Sequence, residues 1–332
     1  MEAAGLVAVI AVALVFNYTT GFHDAANAIA TSVSTRALTP RLALGLAAAG
    51  NLAGALLGTG VALTVTAGII QAPPGGEGLV ILLAALIGAI GWNLTTWYFG
   101  PPASSSHALI GGMVGAALAA SAGVIWGGVL HKVVFPMVLS PIVGLLLGYA
   151  VMIALLWLCR RADPHAAGRR FRVAQTFSAG AMAVGHGLQD AQKTMGIIVL
   201  ALVTCGIQED ASVPLWVIVA TAATLALGTY AGGWRVMRTL GRGIIELDPP
   251  QGFAAELTAS SVLYATSSLL HAPISTTHVI TTSIMGVGST RRRSAVRWGV
   301  AGNIAVAWLL TLPIAAALAA ASYLALHAII TL

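Results

Sequence analysis

The sequence predicts an all-α polytopic membrane protein made of two inverted-topology repeats, with two re-entrant helical hairpins and broken helices. Three observations carry that expectation. First, of 332 residues 58% are hydrophobic and only 8% charged, against about 25% charged in an ordinary soluble domain. Second, apolar runs of about 20 residues, long enough to cross a bilayer, recur along the chain. An outer-membrane barrel would show short alternating segments instead. Third, the two halves match each other in three places, in the same order.

The basic residues set the expected topology. Apart from Lys132 and Lys193 they are all Arg, and most fall in three clusters: Arg160–Arg172, Arg235–Arg242 and Arg291–Arg297. Short basic loops mark the cytoplasmic side, so the formal charge of +6 is read as topology and not as a nucleic-acid surface. The acidic or neutral loops "QAPPGGEG" and "GIQEDAS" then lie outside. Both termini are expected outside, and "MEAAGL" lacks the basic n-region of a signal peptide. Cys159 and Cys205 have no metal-ligand spacing and predict neither a disulfide framework nor a redox site.

Element by element, the pattern predicts crossing helices over about 4–30, 42–69, 134–158, 174–205, 213–233 and 297–327. Residues 79–118 and 252–289 are expected to leave and return on one side as hairpins. The boundaries place the first repeat at 1–160, a cytoplasmic basic linker at 161–172 and the second repeat at 173–332.

The repeat itself lies in the polar motifs. "GFHDAAN" (21–27) aligns with "GLQDAQK" (187–193), so that Asp190 follows Asp24 by 166 residues. "PASSSH" (102–107) aligns with "PISTTH" (273–278), an offset of 171. Trp126 and Pro141 align with Trp298 and Pro313 at an offset of 172. Inverted repeats with polar motifs inside apolar stretches are the architecture of secondary transporters, whose interrupted helices meet near the membrane midplane.

Asp24 and Asp190 are the first candidates for chemistry. An acid at such depth costs about 2.5–3.5 kcal/mol on insertion scales and generally serves an ion path or a buried pair. Their carboxylates suit Na⁺ coordination, proton uptake or a metal ion. Lys193 takes the place of Asn27 in the second repeat and needs an anion, either Asp190 or a bound substrate. The clusters Ser104, Ser105, Ser106 and Ser275, Thr276, Thr277 each follow a proline that can start a helix. Hydroxyls and backbone N–H groups at two such helix starts make an anion site, on which a tetrahedral oxyanion fits. His107 and His278 close these clusters as packed rings or direct participants. Glu256 enters the second hairpin near the expected cytoplasmic surface, and its repeat counterpart is Ala85. No P-loop, metal finger or hydrolase elbow is present, so neither ATP use nor enzymatic activity is expected.

The stretches "GFHDAANAIATS", "HGLQDAQKTMG", "PPASSSHALIGG" and "PISTTHVITTS" together resemble the inorganic phosphate transporter (Pit, or phosphate permease) family, over essentially the whole chain. "GTYAGGWRVMRTLG" and "PPQGFAAE" are most similar to its actinobacterial low-affinity members. The resemblance implies symport of inorganic phosphate with a cation across the bacterial cytoplasmic membrane, no further cofactor, and a homodimer. It places the coupling ion at Asp24, Asn27 and Asp190. It places phosphate at the six hydroxyls, with Gln192 and Lys193 beside them. Two positions depart from the family pattern, which has Asn before each motif Asp: here stand His23 and Gln189. Histidine is a poor Na⁺ ligand and a good proton carrier, so the expected coupling ion is H⁺, with phosphate free or as a neutral divalent-metal complex. The alternatives are Na⁺-coupled phosphate symport, a sulfate permease or a passive anion channel.

Overall fold

The computed structural model describes residues 2–331. Its first half runs α1 (Glu2–Ser34), α2 (Pro40–Ala55), α3 (Gly60–Gly68), α4 (Gly76–Phe99), α5 (Ser105–Ala119), then α6 (Trp126–Gly128), which continues through a π turn into α7 (Phe135–Leu158). The second half runs α8 (Pro164–Thr204), α9 (Leu215–Ala231), α10 (Trp234–Arg238), α11 (Pro249–Ala265), α12 (Thr276–Ser289) and α13 (Trp298–Thr331). The succession of a long helix, a bent pair, a hairpin and a long closing helix is thus the same in both halves. α1, α4, the α6–α7 unit and α13 are long and apolar enough to cross a membrane, and each bent pair adds a span if taken as one. The chain is a multi-pass membrane protein. Beside the helices, a two-residue ladder pairs β1 (Ile70–Gln71) with β2 (Gly123–Val124), tying the loop after α3 to the loop after α5.

Several boundaries differ from the sequence expectation, each for a local reason. The expected single helix over 42–69 breaks between α2 and α3 with a 69° bend. Gly58 and Gly60 disfavour helix there, and the carboxamide oxygen of Gln192 accepts the amide of Val61 at 2.7 Å, replacing a lost helical bond. The segment expected to cross at 213–233 is α9, and the chain bends by 60° at its end, where Gly232 takes φ +77°. The expected basic linker is largely helix. Asp163 caps the amide of Ala166 at 2.7 Å and Pro164 starts α8, so Arg169, Arg170 and Arg172 ride on its first turns. Both hairpins form: α4–α5 turns at Gly100 (φ +88°), and α11–α12 turns after His271 (φ +48°).

The polar motifs do not interrupt their helices. α1 and α8 run unbroken through Gly21–Asn27 and Gly187–Lys193. What changes along them is the neighbourhood. One apolar core contains Phe16 of α1 and Ala191 and Met195 of α8, and a second contains Ala25 of α1 and Met182 and Ala183 of α8. The polar turns lie where the helices pass from one core to the other.

The two halves interlock through those same turns, α2 on α8 and α9 on α1. A Cβ on Gly21 would collide with the backbone of Leu225 and Thr229, and one on Gly187 with the backbone of Asn51. The repeat-related glycines, three residues before each Asp, therefore let a bent helix of the opposite half lie directly on the site helix, the small-residue packing expected in a membrane. Gly187→Val is expected to destabilise the protein by about 1–3 kcal/mol or prevent folding, read as a lowered thermal unfolding midpoint in detergent.

Candidate functional site

The site is built where α1 and α8 meet the starts of α5 and α12. Ser104 and Ser275 are the N-caps, each hydroxyl accepting the amide of the histidine three residues on, His107 or His278, at 3.2 Å. Capping turns the next two hydroxyls of each cluster inward. Ser105 donates to Asp24 Oδ2 at 2.6 Å, and Thr277 donates to Asp24 Oδ1 at 3.4 Å. Thr276 donates to Asp190 Oδ2 at 3.1 Å. Asn27 donates to Thr277 Oγ1 at 2.9 Å and to Thr276 Oγ1 at 3.3 Å. Both helix N-termini and both carboxylates thus converge, with each Asp bonded to the start of a hairpin helix.

Lys193 is the one ammonium in this cluster. It donates to Asp190 Oδ1, to Ser106 Oγ and, at 2.9 Å, to the carbonyl of Ile274. Asp24, Asp190 and Lys193 are 1%, 2% and 3% exposed, so all three groups are held away from water. Two carboxylates against one ammonium leave a net negative charge, which a buried site must compensate.

Two imidazoles complete the carboxylate surroundings. His23 Nδ1 lies 2.8 Å from Asp24 Oδ1, and its Nε2 lies 2.9 Å from Thr96 Oγ1. The Thr96 hydroxyl already donates to the carbonyls of Trp92 and Asn93, so it accepts from Nε2–H, and Nδ1 faces the carboxylate as the second nitrogen. On the other side His186 Nε2 stands 2.9 Å from Asp190 Oδ2. Reactive atoms of Asp24, His186 and Asp190 lie within 4.8 Å of one another. The sequence motifs did not single out His186. The available signal was its spacing, since residues i and i+4 share a helix face.

Other expected site residues are placed elsewhere. Gln192 caps α3 through its oxygen and donates to the carbonyl of Leu188 at 2.7 Å, so it supports the bent helix and does not face the hydroxyls. Gln189 donates to the carbonyl of Ala272 at 3.2 Å, holding the turn before α12. His107 and His278 meet edge to face at 4.8 Å between centroids, and His278 stacks on Trp308 at 3.8 Å. They pack the backs of the hairpin helices.

Glu256, expected near the cytoplasmic surface, is enclosed by other helices. It is fully buried and accepts from Thr31 and Ser178 at 2.5 Å each and from Gln175 at 3.2 Å. This nest joins α11 to α1 and α8, and its three donors bond neither Asp24 nor Asp190.

A helical fold in which bent helices and paired hairpins close on a buried polar site, with two helix starts meeting two carboxylates, defines a membrane transporter. The chain belongs to the phosphate transporter family, which it matches over residues 20–319. It is 48% identical over 324 residues to a "Probable low-affinity inorganic phosphate transporter" of Rhizobium meliloti, covering 96% of each chain. A protein of the same name from the actinobacterium Mycobacterium bovis is 47% identical over 330 residues, 97% of this chain and 78% of the relative. One from Bacillus subtilis is 43% identical over 320 residues, 96% of each. A solved sodium-dependent phosphate transporter superposes with a TM-score of 0.89 at 26% identity, over 98% of this chain and all of that one. The family is one of transporters and not of enzymes.

Glu256→Ala is expected to leave three buried donors without their acceptor and to lower stability by about 1–3 kcal/mol, measured as the unfolding midpoint in detergent.

Proposed function

We propose that this protein is a secondary active symporter that imports inorganic phosphate, alone or as a neutral complex with a divalent cation, driven by H⁺. Phosphate is held by the hydroxyls of Ser105, Ser106, Thr276 and Thr277 at two opposed helix starts and by Lys193. Helix N-termini favour anions through free N–H groups and the helix dipole. Phosphate near neutral pH keeps a proton that it can donate to Asp24 or Asp190, and sulfate has none to donate. That difference favours phosphate over the sulfate alternative.

The observation that carries the coupling ion is His23 between Thr96 and Asp24. With Nε2–H given to Thr96, Nδ1 faces a carboxylate oxygen at 2.8 Å. Two lone pairs at that distance repel unless a proton lies between them. One proton fits this gap, shared between the ring and the carboxylate. The name of the sodium-dependent structural relative supports the Na⁺ alternative. In this chain an imidazole takes the place that a Na⁺-binding amide would fill.

In this reading the repeats 1–160 and 173–332, joined through 161–172 on the cytoplasmic side, rock about the site in a bacterial cytoplasmic membrane. Both termini lie outside, and a second copy packs alongside. The buried site, sealed from solvent, suits alternating access better than an open anion channel, whose pore is lined continuously.

Phosphate uptake into proteoliposomes under separately imposed H⁺ and Na⁺ gradients tests this. Uptake is expected to follow the H⁺ gradient, to be saturable and to resist excess sulfate. Uptake that follows only Na⁺ would overturn the proton assignment. Asp24→Asn and Asp190→Asn are each expected to reduce gradient-driven uptake to the level of empty liposomes. Wild-type transport by both would refute the site.

A further inference from the structure

We infer that the protein holds the phosphodiester headgroup of an anionic phospholipid, such as phosphatidylglycerol, at Arg235 and Arg238, in a cavity between the turn of the first hairpin and the start of α13. The site is separate from the buried carboxylates, and the inference goes beyond the symport reading.

The cavity measures about 500 Å³, within the roughly 300–1,000 Å³ of small-ligand pockets. Phe99 and Gly100, at the end of α4, form one wall and Val300 of α13 another, while Arg235, Arg238 and Thr239 come from α10 and the π turn that follows it. Residues at i, i+3 and i+4 share a helix face, so both guanidinium groups border the same space.

The positive charge there is uncompensated. Among the described residues, the nearby carboxylates Asp248 and Glu246 pair with Arg291 and Arg297, and neither Arg235 nor Arg238 has a carboxylate within 4.0 Å. Arg235 is nevertheless held in place. It donates to the carbonyl of Tyr98 at 2.6 Å, and its guanidinium lies 4.6 Å from the centre of the Tyr98 ring and 5.5 Å from that of Trp97. One bond to a carbonyl leaves most of the guanidinium donors for a ligand. Thr239 gives its hydroxyl proton to the carbonyl of Gly100 at 2.9 Å, so the arginines are the donors that face an anion.

The walls select an anion that carries an apolar chain. Phe99 is 76% exposed, and a small hydrophilic ion would leave its ring bare beside the charge, whereas an acyl chain covers it. Tyr98, Trp234 and Trp298, next to the lining residues in the chain, are exposed as well. Trp and Tyr gather at the membrane–water interface, which puts the cavity at headgroup level on the face of the basic loops. Basic pockets between membrane helices on that side suit anionic headgroups. A headgroup bound there lies across the seam between the first hairpin and α10 of the other half. It also lies close to the last turn of α4, where Thr96 meets His23.

The test titrates the purified full-length protein in detergent with phosphatidylglycerol, phosphatidylcholine and inorganic phosphate, counting bound lipid by native mass spectrometry and following the unfolding midpoint. Wild type is expected to retain phosphatidylglycerol in preference to phosphatidylcholine and to unfold at a higher temperature with it. Arg238→Gln should weaken phosphatidylglycerol binding about fivefold, the loss of one charge near the surface, and Arg238→Lys, which keeps the charge, should bind within about twofold of wild type. The unfolding midpoint without lipid is expected to be the same in both variants as in wild type, which separates lost binding from lost folding. Equal retention of the two lipids, or equal phosphatidylglycerol affinity in wild type and Arg238→Gln, overturns the inference. Displacement of the lipid by inorganic phosphate overturns it too, because the arginines would then serve the free anion.

Discussion

The structure depends on keeping two carboxylates and one ammonium buried together between apolar cores. Asp24 and Asp190 sit on the long helices of opposite halves, and neither could remain charged in that setting alone. Each is held by the start of a hairpin helix, Asp24 through Ser105 and Thr277 and Asp190 through Thr276, while Lys193, on the same helix as Asp190, joins it to Ser106. The charges therefore tie the hairpins to the long helices. The same bonds that stabilise the carboxylates bring the hydroxyls of both helix starts together.

Packing makes that arrangement possible. Gly21 and Gly187 admit a bent helix of the opposite half against each motif. Thr229 and Asn51, arriving on those bent helices, then fix the ring of His186. Gln192 spends its carboxamide on α3, which lets the chain break where the site needs a short helix. Small residues, breaks and second-layer amides thus act on one object, the orientation of groups around two carboxylates.

Much of this was legible in the sequence because the signals are local. Composition and apolar runs identify a membrane protein, proline followed by hydroxyls marks a helix start, and an Asp inside an apolar stretch stands out at any position. The hairpins, the helix starts after each proline and the polar groups Asp24, Asp190 and Lys193 within apolar stretches all follow from such patterns. The break after Ala55 is hidden in the sequence because hydropathy continues across it. The partners of Glu256, Thr31, Gln175 and Ser178, lie on other helices, so no local pattern names them.

By itself, then, the sequence determined the class of protein, the paired halves, the helix starts and the residues whose burial would demand compensation. Each is encoded within one or two helical turns. Only the tertiary structure decided which partners supply that compensation. His186 became part of the site through Asn51, 135 residues away, and Gln192 left it for an amide 131 residues away. The physical reason is that a hydrogen bond is satisfied by whichever group reaches it in space. In a chain folded from two interlocking halves, that group can lie on the other half, as it does for His186, Gln192 and Asp24.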